Sequence, residues 1–98
     1  MEEFKEQQIT AETWNLALKK GVVSNINLLT PTQEQLHAWI RKNHNKEVMV
    51  KSWIEGQNVV FLFSVNVLGK PSAYKNRNNF SKYEDAYEAG LVDALNSI

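Results

Sequence analysis

The stretch "NVVFLFSVNVLG", residues 58–69, decides the fold expected of this chain. Every odd-numbered position from 59 to 67 is apolar, whereas on the even-numbered side Val60 and Leu62 give way to Ser64 and Asn66. A period of two is typical of a β-strand, and one continuous apolar stripe indicates a sheet with one face on a core. We therefore expect a strand whose odd-numbered face is buried.

The segments on either side of this strand extend it into a sheet. The preceding stretch "EVMVKSWIEG", residues 47–56, also alternates, and "EGQN" with Gly56 is typical of a turn. One side of the first strand holds Val48, Val50 and Ile54, and the other side holds Met49, Lys51 and Trp53. The following stretch "PSAYKNRNNF", residues 71–80, predicts a third, more irregular strand that begins near Pro71.

Two helices are expected before the sheet. "ITAETWNLALKKG", residues 9–21, has Thr10 as a candidate N-cap, Gly21 after its end and an apolar stripe of Trp14, Ala17, Leu18 and Ala11. "TPTQEQLHAWIRKNHN", residues 30–45, begins with Thr30 as a candidate N-cap and Gln33 as the partner in a T-x-x-Q capping box. Asn43 or Asn45 is expected to end this helix in a left-handed conformation. Between the two helices, "VVSNINLL" is expected to be a short strand or an extended connector.

A third helix is expected at the end of the chain, over "SKYEDAYEAGLVDALNSI", residues 81–98. Ser81 and Glu84 match an S-x-x-E capping box. The apolar stripe of this helix contains Gly90, which costs about 1 kcal/mol relative to Ala inside a helix. We therefore expect a close approach of the helix to the sheet or to another helix at Gly90.

These elements predict an α+β protein with the order α-α-β-β-β-α. The expected architecture is a two-layer sandwich, in which helices pack on one face of a small antiparallel three-stranded sheet. We expect one domain over residues 1–98, with an αβββα core over residues 30–98 and flexible residues 1–8.

Composition excludes several classes of protein. The chain has 98 residues, of which 43% are hydrophobic, and it has no cysteine, so disulfides, thiol catalysis and cysteine-rich zinc sites are excluded. A cysteine-free chain with a polar start, "MEEFKEQQ", and no apolar run of about 20 residues is expected to be cytoplasmic, without a signal peptide or a membrane partner. Eleven acidic residues balance eleven basic ones, which does not favour a nucleic-acid binder overall.

The residue pattern offers no catalytic or metal site. His37 and His44 are seven positions apart, about 10 Å along a helix, so one metal ion cannot bind both. We expect His37 on the surface and His44 at the helix end. No nucleophile is paired with a base, and no Gly-rich phosphate loop is present. The chain is therefore expected not to be an enzyme and to need no cofactor.

A basic stretch interleaved with aromatic residues, "KPSAYKNRNNFSKY", is a candidate nucleic-acid contact. Its basic side chains could contact phosphates, and its aromatic ring could stack on a base. The candidate contact residues are Lys70, Tyr74, Lys75, Arg77 and Lys82. The alternative is a solvated edge strand and loop, in which lysines discourage edge-to-edge pairing and Tyr74 points into the core.

The second face of the sheet is a candidate partner surface. If it is open, it exposes an apolar patch of Met49, Trp53, Val60 and Leu62. Such a patch is typical of a surface for an unknown protein partner or for a homodimer. The alternative is that the N-terminal helix covers it.

From residue 30 onward, the order of helix, three strands and helix resembles the double-stranded-RNA-binding-domain fold. The resemblance implies phosphate contacts from a lysine-rich turn at the start of the last helix. This chain has "SKYEDAYEAG" at that place, where Lys82 is a cation but Glu84 and Asp85 repel phosphates. The two acids are better suited to stabilising a helix N-terminus.

The segments "TPTQEQLHAWIRKNHN" and "YEDAYEAGLVDALNSI", together with the "KKG" that ends the first helix, resemble a group of small proteins from gut Bacteroidetes and their phages. The resemblance covers most of the chain and departs at "VVSNINLL", before residue 30. It implies a shared fold and a phage or mobile-element origin, and it carries over no catalytic residues. The expected function is a non-enzymatic protein-interaction module, and the alternative is nucleic-acid binding through residues 70–82.

Overall fold

The computed structural model describes residues 8–22, 31–69 and 74–98. For residues 74–79 it describes the backbone and not the side chains. The elements in chain order are α1 (Ala11–Lys19), α2 (Gln33–His44), β1 (Lys46–Glu55), β2 (Asn58–Val67), β3 (Tyr74–Phe80) and α3 (Tyr83–Asn96). The flexibility expected for residues 1–8 and the strand or connector expected at residues 22–29 fall almost wholly outside these ranges.

Strands β1 and β2 form a long antiparallel hairpin. Ten pairs run from Lys46–Val67 to Glu55–Asn58 without a break in register. The turn between them contains Gly56 at φ 62°, a left-handed conformation that glycine adopts at little cost. In this register Val48 and Val50 share a face with the odd-numbered residues of β2, as the alternation predicts.

Strand β3 lies antiparallel to β2 and follows it less regularly. Its register pairs are Phe61–Phe80, Phe63–Lys75 and Ser64–Tyr74, with an irregularity between Phe61 and Phe63. The α+β class, the three helices and the antiparallel hairpin are confirmed. A regular three-stranded meander remains a prediction.

Helix α3 packs across the hairpin, and its glycine sets how closely it does so. A Cβ at Gly90 would lie 2.6 Å from Val48 Cγ1 and 3.3 Å from Phe63 Cβ, so the close approach expected there is confirmed. The core between the helices and the hairpin is one cluster of buried side chains. Its largest fully buried apolar members are Leu36, Ile40, Leu91 and Leu95.

Helix α1 packs against α3, and α2 packs against both α3 and β1. The sequence stripe for α1 is partly wrong. Ala17 is fully buried, but Leu18 is 47% exposed and Ala11 is exposed, whereas Thr13 is buried. Ile9, Thr13 and Ala17 face the core. The buried face of α1 is therefore rotated about the helix axis relative to the predicted apolar stripe.

The ends of the helices confirm some predicted caps and correct others. Thr10 caps α1 by accepting the N–H of Thr13, and Asn45 ends α2 at φ 55°. The predicted start of α2 is wrong by two residues: Thr32 is the N-cap and Gln35 closes the capping box. The shift preserves the T-x-x-Q spacing, which the sequence contains in both registers.

The predicted capping box of α3 is also wrong. The N-cap residue is Lys82, and no side chain caps the helix there. Glu84 and Asp85 lie in the first turn, where their negative charges are favourable next to the positive end of the helix dipole.

Candidate interaction surface

The tip of the β1–β2 hairpin exposes apolar side chains on the face that, further along, packs against α3. Val48 is buried there, whereas Ile54 is 76% exposed and Val59, its register partner, is 52% exposed. Phe61, nearer to α3, is half-buried and meets the ring of Tyr83 edge to face, with 6.1 Å between the centroids. The hairpin is therefore longer than the helical layer that covers it.

The opposite face of the hairpin holds the four apolar residues that the sequence groups there. Trp53 is 51% and Met49 43% exposed, and Val60 and Leu62 are half-buried. Trp53 pairs with Val60, so these side chains lie side by side on one face. Among the described elements α1 contacts only α3, so it does not cover this face.

On this opposite face, the side chains of β2 become buried towards the end of the hairpin away from the turn. Ser64 and Asn66 are buried although the alternation predicts them on the outward side. Asn66 Nδ2 donates to Ser64 Oγ at 3.1 Å and approaches Met49 Sδ at 3.3 Å. On this face the exposed apolar side chains therefore begin at Met49 and continue through Trp53 towards the turn. We call Met49, Trp53, Ile54, Val59 and Val60 the tip surface.

A buried hydrogen-bond network links α2, α3 and β1 on the other side of the core. His37, expected on the surface, is only 4% exposed. Its Nδ1 lies 2.6 Å from Tyr87 Oη, and Tyr87 Oη donates to Glu34 Oε1 at 3.0 Å. Its Nε2 accepts the backbone N–H of Val48 at 3.0 Å. The expectation of a surface His37 is wrong because the side chain completes the hydrogen bonding of a strand edge.

The directions of these bonds fix the tautomer of His37. Nε2 accepts from Val48, so the proton lies on Nδ1 and is donated to Tyr87 Oη. Burial lowers the pKa of His37, and the nearby charge of Arg41 lowers it too, although Glu47 and Glu34 oppose them. Glu47 Oε1 lies 3.2 Å from Nε2, and the other carboxylate oxygen, Oε2, pairs at 2.7 Å with Arg41 Nε.

The network contains the residue types of an acid–base catalytic site, but its histidine and tyrosine are not accessible to a substrate. Burial, followed by the hydrogen bond to Glu34, raises the pKa of Tyr87 far above its usual value. His37 and Tyr87 are both buried, and their polar atoms bond to each other, to the backbone of Val48 and to the carboxylate of Glu34. Such an arrangement orients α2 and α3 against β1. The sequence signal that would reveal it is Glu34 and His37 one turn apart on one helix.

A groove of about 560 Å³ lies along the contact between α1 and α3. Its walls contain Glu12, Asp85 and Glu88 beside apolar residues such as Leu16 and Val92. Glu88 already accepts from the backbone N–H of Thr10 at 2.9 Å and from Gln33 Nε2 at 3.0 Å. Glu88 therefore holds the starts of α1 and α2 against α3.

The described residues contain no group of three or more His, Asp or Glu side chains placed to hold a metal ion. Within the same ranges, no helix is both long and apolar enough to cross a bilayer.

The candidate nucleic-acid contacts lie largely outside what the structure describes. Lys70 is not among the described residues, and the side chains of Tyr74, Lys75 and Arg77 are in the range left aside. Lys82 is exposed at the start of α3, followed by Glu84 and Asp85. Whether these side chains lie together, and whether Tyr74 is exposed, therefore stays untested.

Comparisons of the chain with family models, with curated proteins and with solved structures each find no match.

Proposed function

We propose that this chain is a non-enzymatic protein-interaction module that binds its partner through the tip surface of the β1–β2 hairpin. The observation that carries this function is the exposure of Trp53, at 51%, beside Ile54, at 76%. Tryptophan is one of the residues that supply most of the binding energy in many protein interfaces, when a partner and the surrounding apolar contacts remove it from water.

The position of these residues supports binding rather than folding. Ile54 and Val59 lie on the face that would be core if the helical layer reached the turn, yet they are exposed. Burying an exposed apolar side chain gains roughly 25 cal/mol per Å² of apolar area. A partner that covers both faces of the tip would gain this energy, which the isolated chain does not.

Nucleic-acid binding through residues 70–82 is the second candidate, and its support is the charge of the sequence alone. The remaining features that we propose are a cytoplasmic location, a phage or mobile-element origin and a two-layer sandwich completed by β3. The absence of open catalytic groups in the tip surface favours binding over catalysis at that place.

Affinity capture with quantitative mass spectrometry tests the proposed function. The tagged chain serves as bait in cells that also make the untagged chain, so that a second copy and other partners are both recovered. We expect Trp53→Ser and Ile54→Ser to lose the recovered partner at least tenfold. Both residues are exposed, so neither change alters the free energy of unfolding by more than about 0.5 kcal/mol.

Leu18→Ser is the matched control, because Leu18 is an exposed apolar residue on α1, away from the hairpin. We expect it to recover the same partner as the unmodified chain. Equal loss with Leu18→Ser, or no loss with Trp53→Ser, rules out the tip surface as the binding site.

A further inference from the structure

We infer that the partner is a second copy of this chain, and that the two copies join through antiparallel pairing of their β1 edges centred on Trp53. This inference rests on the proposed function and deepens it. The pairing would join the two hairpins into one continuous sheet. Its strand order would be β2 and β1 of one copy, followed by β1 and β2 of the other.

Strand β1 is at the edge of the sheet, because the strand order is β1, β2, β3. In an antiparallel ladder the N–H and C=O groups of alternate residues point to opposite sides. Leu68 donates its N–H to Asn45 O at 2.9 Å, and this pair extends the β1–β2 ladder by one position. The odd-numbered residues of β1 therefore bond to β2, and the even-numbered residues direct their backbone groups outwards.

The hydrogen bond of Val48 confirms this parity independently. Its N–H points away from β2 and is accepted by His37 Nε2. The first half of the outward edge is thus closed by α2. Further along, the outward backbone groups belong to Val50, Ser52 and Ile54, and none of them forms a backbone hydrogen bond with another described residue.

The open half of this edge contains Lys51, whose charge discourages edge-to-edge pairing, but it lacks the other usual protections. Exposed edges are commonly blocked by proline, by a bulge or by a covering loop. Residues 50–55 contain no proline, and β1 pairs with β2 without a bulge. Ser52, Trp53 and Ile54 are all exposed, so a second strand can approach the edge there.

The charges of β1 favour a register centred on Trp53 for pairing with itself, since an axis at Ser52 would place Lys51 opposite Trp53 without an ion pair. With the two-fold axis at Trp53, Lys51 lies opposite Glu55 of the second copy, and the pair occurs twice. An axis at Lys51 would place two lysines opposite each other, and an axis at Val50 would need the edge groups of Val48, which His37 occupies. Lys51 also interacts within its own chain.

The register centred on Trp53 also buries the exposed residues. It places the two Trp53 rings side by side on one face, since residues opposite each other in a sheet project to the same side. Ser52 lies opposite Ile54 of the second copy, and both direct their backbone groups outwards, so these positions exchange hydrogen bonds. The pairing therefore gives hydrogen-bond partners to the outward backbone groups of β1, and it also covers part of the tip surface.

A charge-reversal cycle, followed by sedimentation velocity over a range of concentrations, tests this register. We expect a dimer whose Kd is about tenfold weaker in Lys51→Glu and in Glu55→Lys, because each change places like charges opposite each other twice. The double variant Lys51→Glu/Glu55→Lys restores opposite charges across the axis. We expect it to recover the original Kd within about threefold.

Cross-linking supplies a readout that does not depend on charge. The chain has no cysteine, so an introduced cysteine is its only thiol. Trp53→Cys would face its copy at a Cα–Cα distance of about 4.5 Å, which suits a disulfide. Ile54→Cys is the matched control, since it faces Ser52 of the second copy rather than itself. At a protein concentration high enough to offset the weaker pairing of both variants, we expect rapid oxidative dimers from Trp53→Cys and slow ones from Ile54→Cys.

The outcomes separate this inference from the proposed function. A monomer at every concentration overturns self-pairing, while the capture experiment still decides whether Trp53 binds another protein. A dimer that ignores both charge changes, or equal cross-linking at positions 53 and 54, overturns the β1 register. A dimer that Trp53→Ser leaves intact, with no other protein captured through Trp53, overturns both.

Discussion

Gly90 sets the distance between α3 and the hairpin. Its lack of a side chain brings the helix backbone against Val48 and Phe63. A glycine inside a helix costs about 1 kcal/mol relative to alanine, so its presence here needs a compensating gain. The close approach supplies that gain through burial of Val48 and the neighbouring core residues.

Gly90→Ala is expected to destabilise the protein by about 1–2 kcal/mol, despite the better helix propensity of alanine. The new Cβ would lie 2.6 Å from Val48 Cγ1, and overpacking of this kind typically costs about 1–3 kcal/mol. Chemical denaturation measures the change. In the background of Val48→Ala, which removes the clashing methyl group, the added cost of Gly90→Ala should fall or reverse sign. Stabilisation by Gly90→Ala alone would contradict the packing.

Tyr87→Phe is expected to cost about 1–3 kcal/mol of unfolding free energy. The change removes the hydroxyl that accepts from His37 and donates to Glu34, and leaves the buried Nδ1–H of His37 without a partner. Tyr83→Phe is the control, because Tyr83 is 47% exposed and its change should stay within about 0.5 kcal/mol. Equal effects of the two variants would show that the hydroxyl of Tyr87 adds no stability.

The starts of α1 and α2 are held by side-chain caps and by hydrogen bonds to α3. Glu88 on α3 accepts from Thr10 at the start of α1 and from Gln33 in the first turn of α2. The α2 capping box satisfies two backbone groups that would otherwise lack partners, since Thr32 Oγ1 accepts from Gln35 and Gln35 Oε1 accepts from Thr32. These contacts fix where each helix begins relative to α3.

Thr32→Ala is expected to lower the free energy of unfolding by about 1 kcal/mol, the usual cost of losing an N-cap side chain. Thr30→Ala is the matched control, because Thr30 is the cap that the sequence favours. Thermal or chemical denaturation of both variants separates the two starts of α2. A greater loss with Thr30→Ala would mean that the helix begins two residues earlier.

The stability of the whole molecule is expected to depend on pH through His37. Groups on all three elements around it act on its charge: Glu34 and Arg41 on α2, Glu47 on β1 and Tyr87 on α3. Burial has the largest effect and places the pKa of His37 in the folded chain below the usual value of 6.5. The unfolded chain therefore binds a proton near pH 6.5 that the folded chain does not.

It follows that the free energy of unfolding should fall as the pH drops below about 6.5, until the lower pKa of the folded chain is passed. Denaturation curves between pH 7.5 and 5.5 measure this slope. His37→Gln should flatten it, since it removes the titrating group. A slope that survives His37→Gln would assign the dependence to other groups.

Local sequence signals determined the α+β class and the hairpin, and they limited the end of α2 to Asn43 or Asn45. The period-two stripe of residues 58–69, the turn at Gly56 and the left-handed Asn45 all depend on near neighbours in the chain. The side of the hairpin that carries Trp53 and Met49 also followed from alternation, because side chains in a strand must alternate.

Only the tertiary structure decided the burial of His37, the start of α2 and the exposure of the hairpin tip. Two T-x-x-Q boxes overlap in the sequence, and both fit a helix start. The burial of His37 depends on Tyr87, 50 residues away, and on an outward backbone group of β1. The exposure of Ile54 depends on how far α3 extends along the hairpin. Alternation specifies which face a side chain is on, but contact between distant segments specifies whether that face is covered.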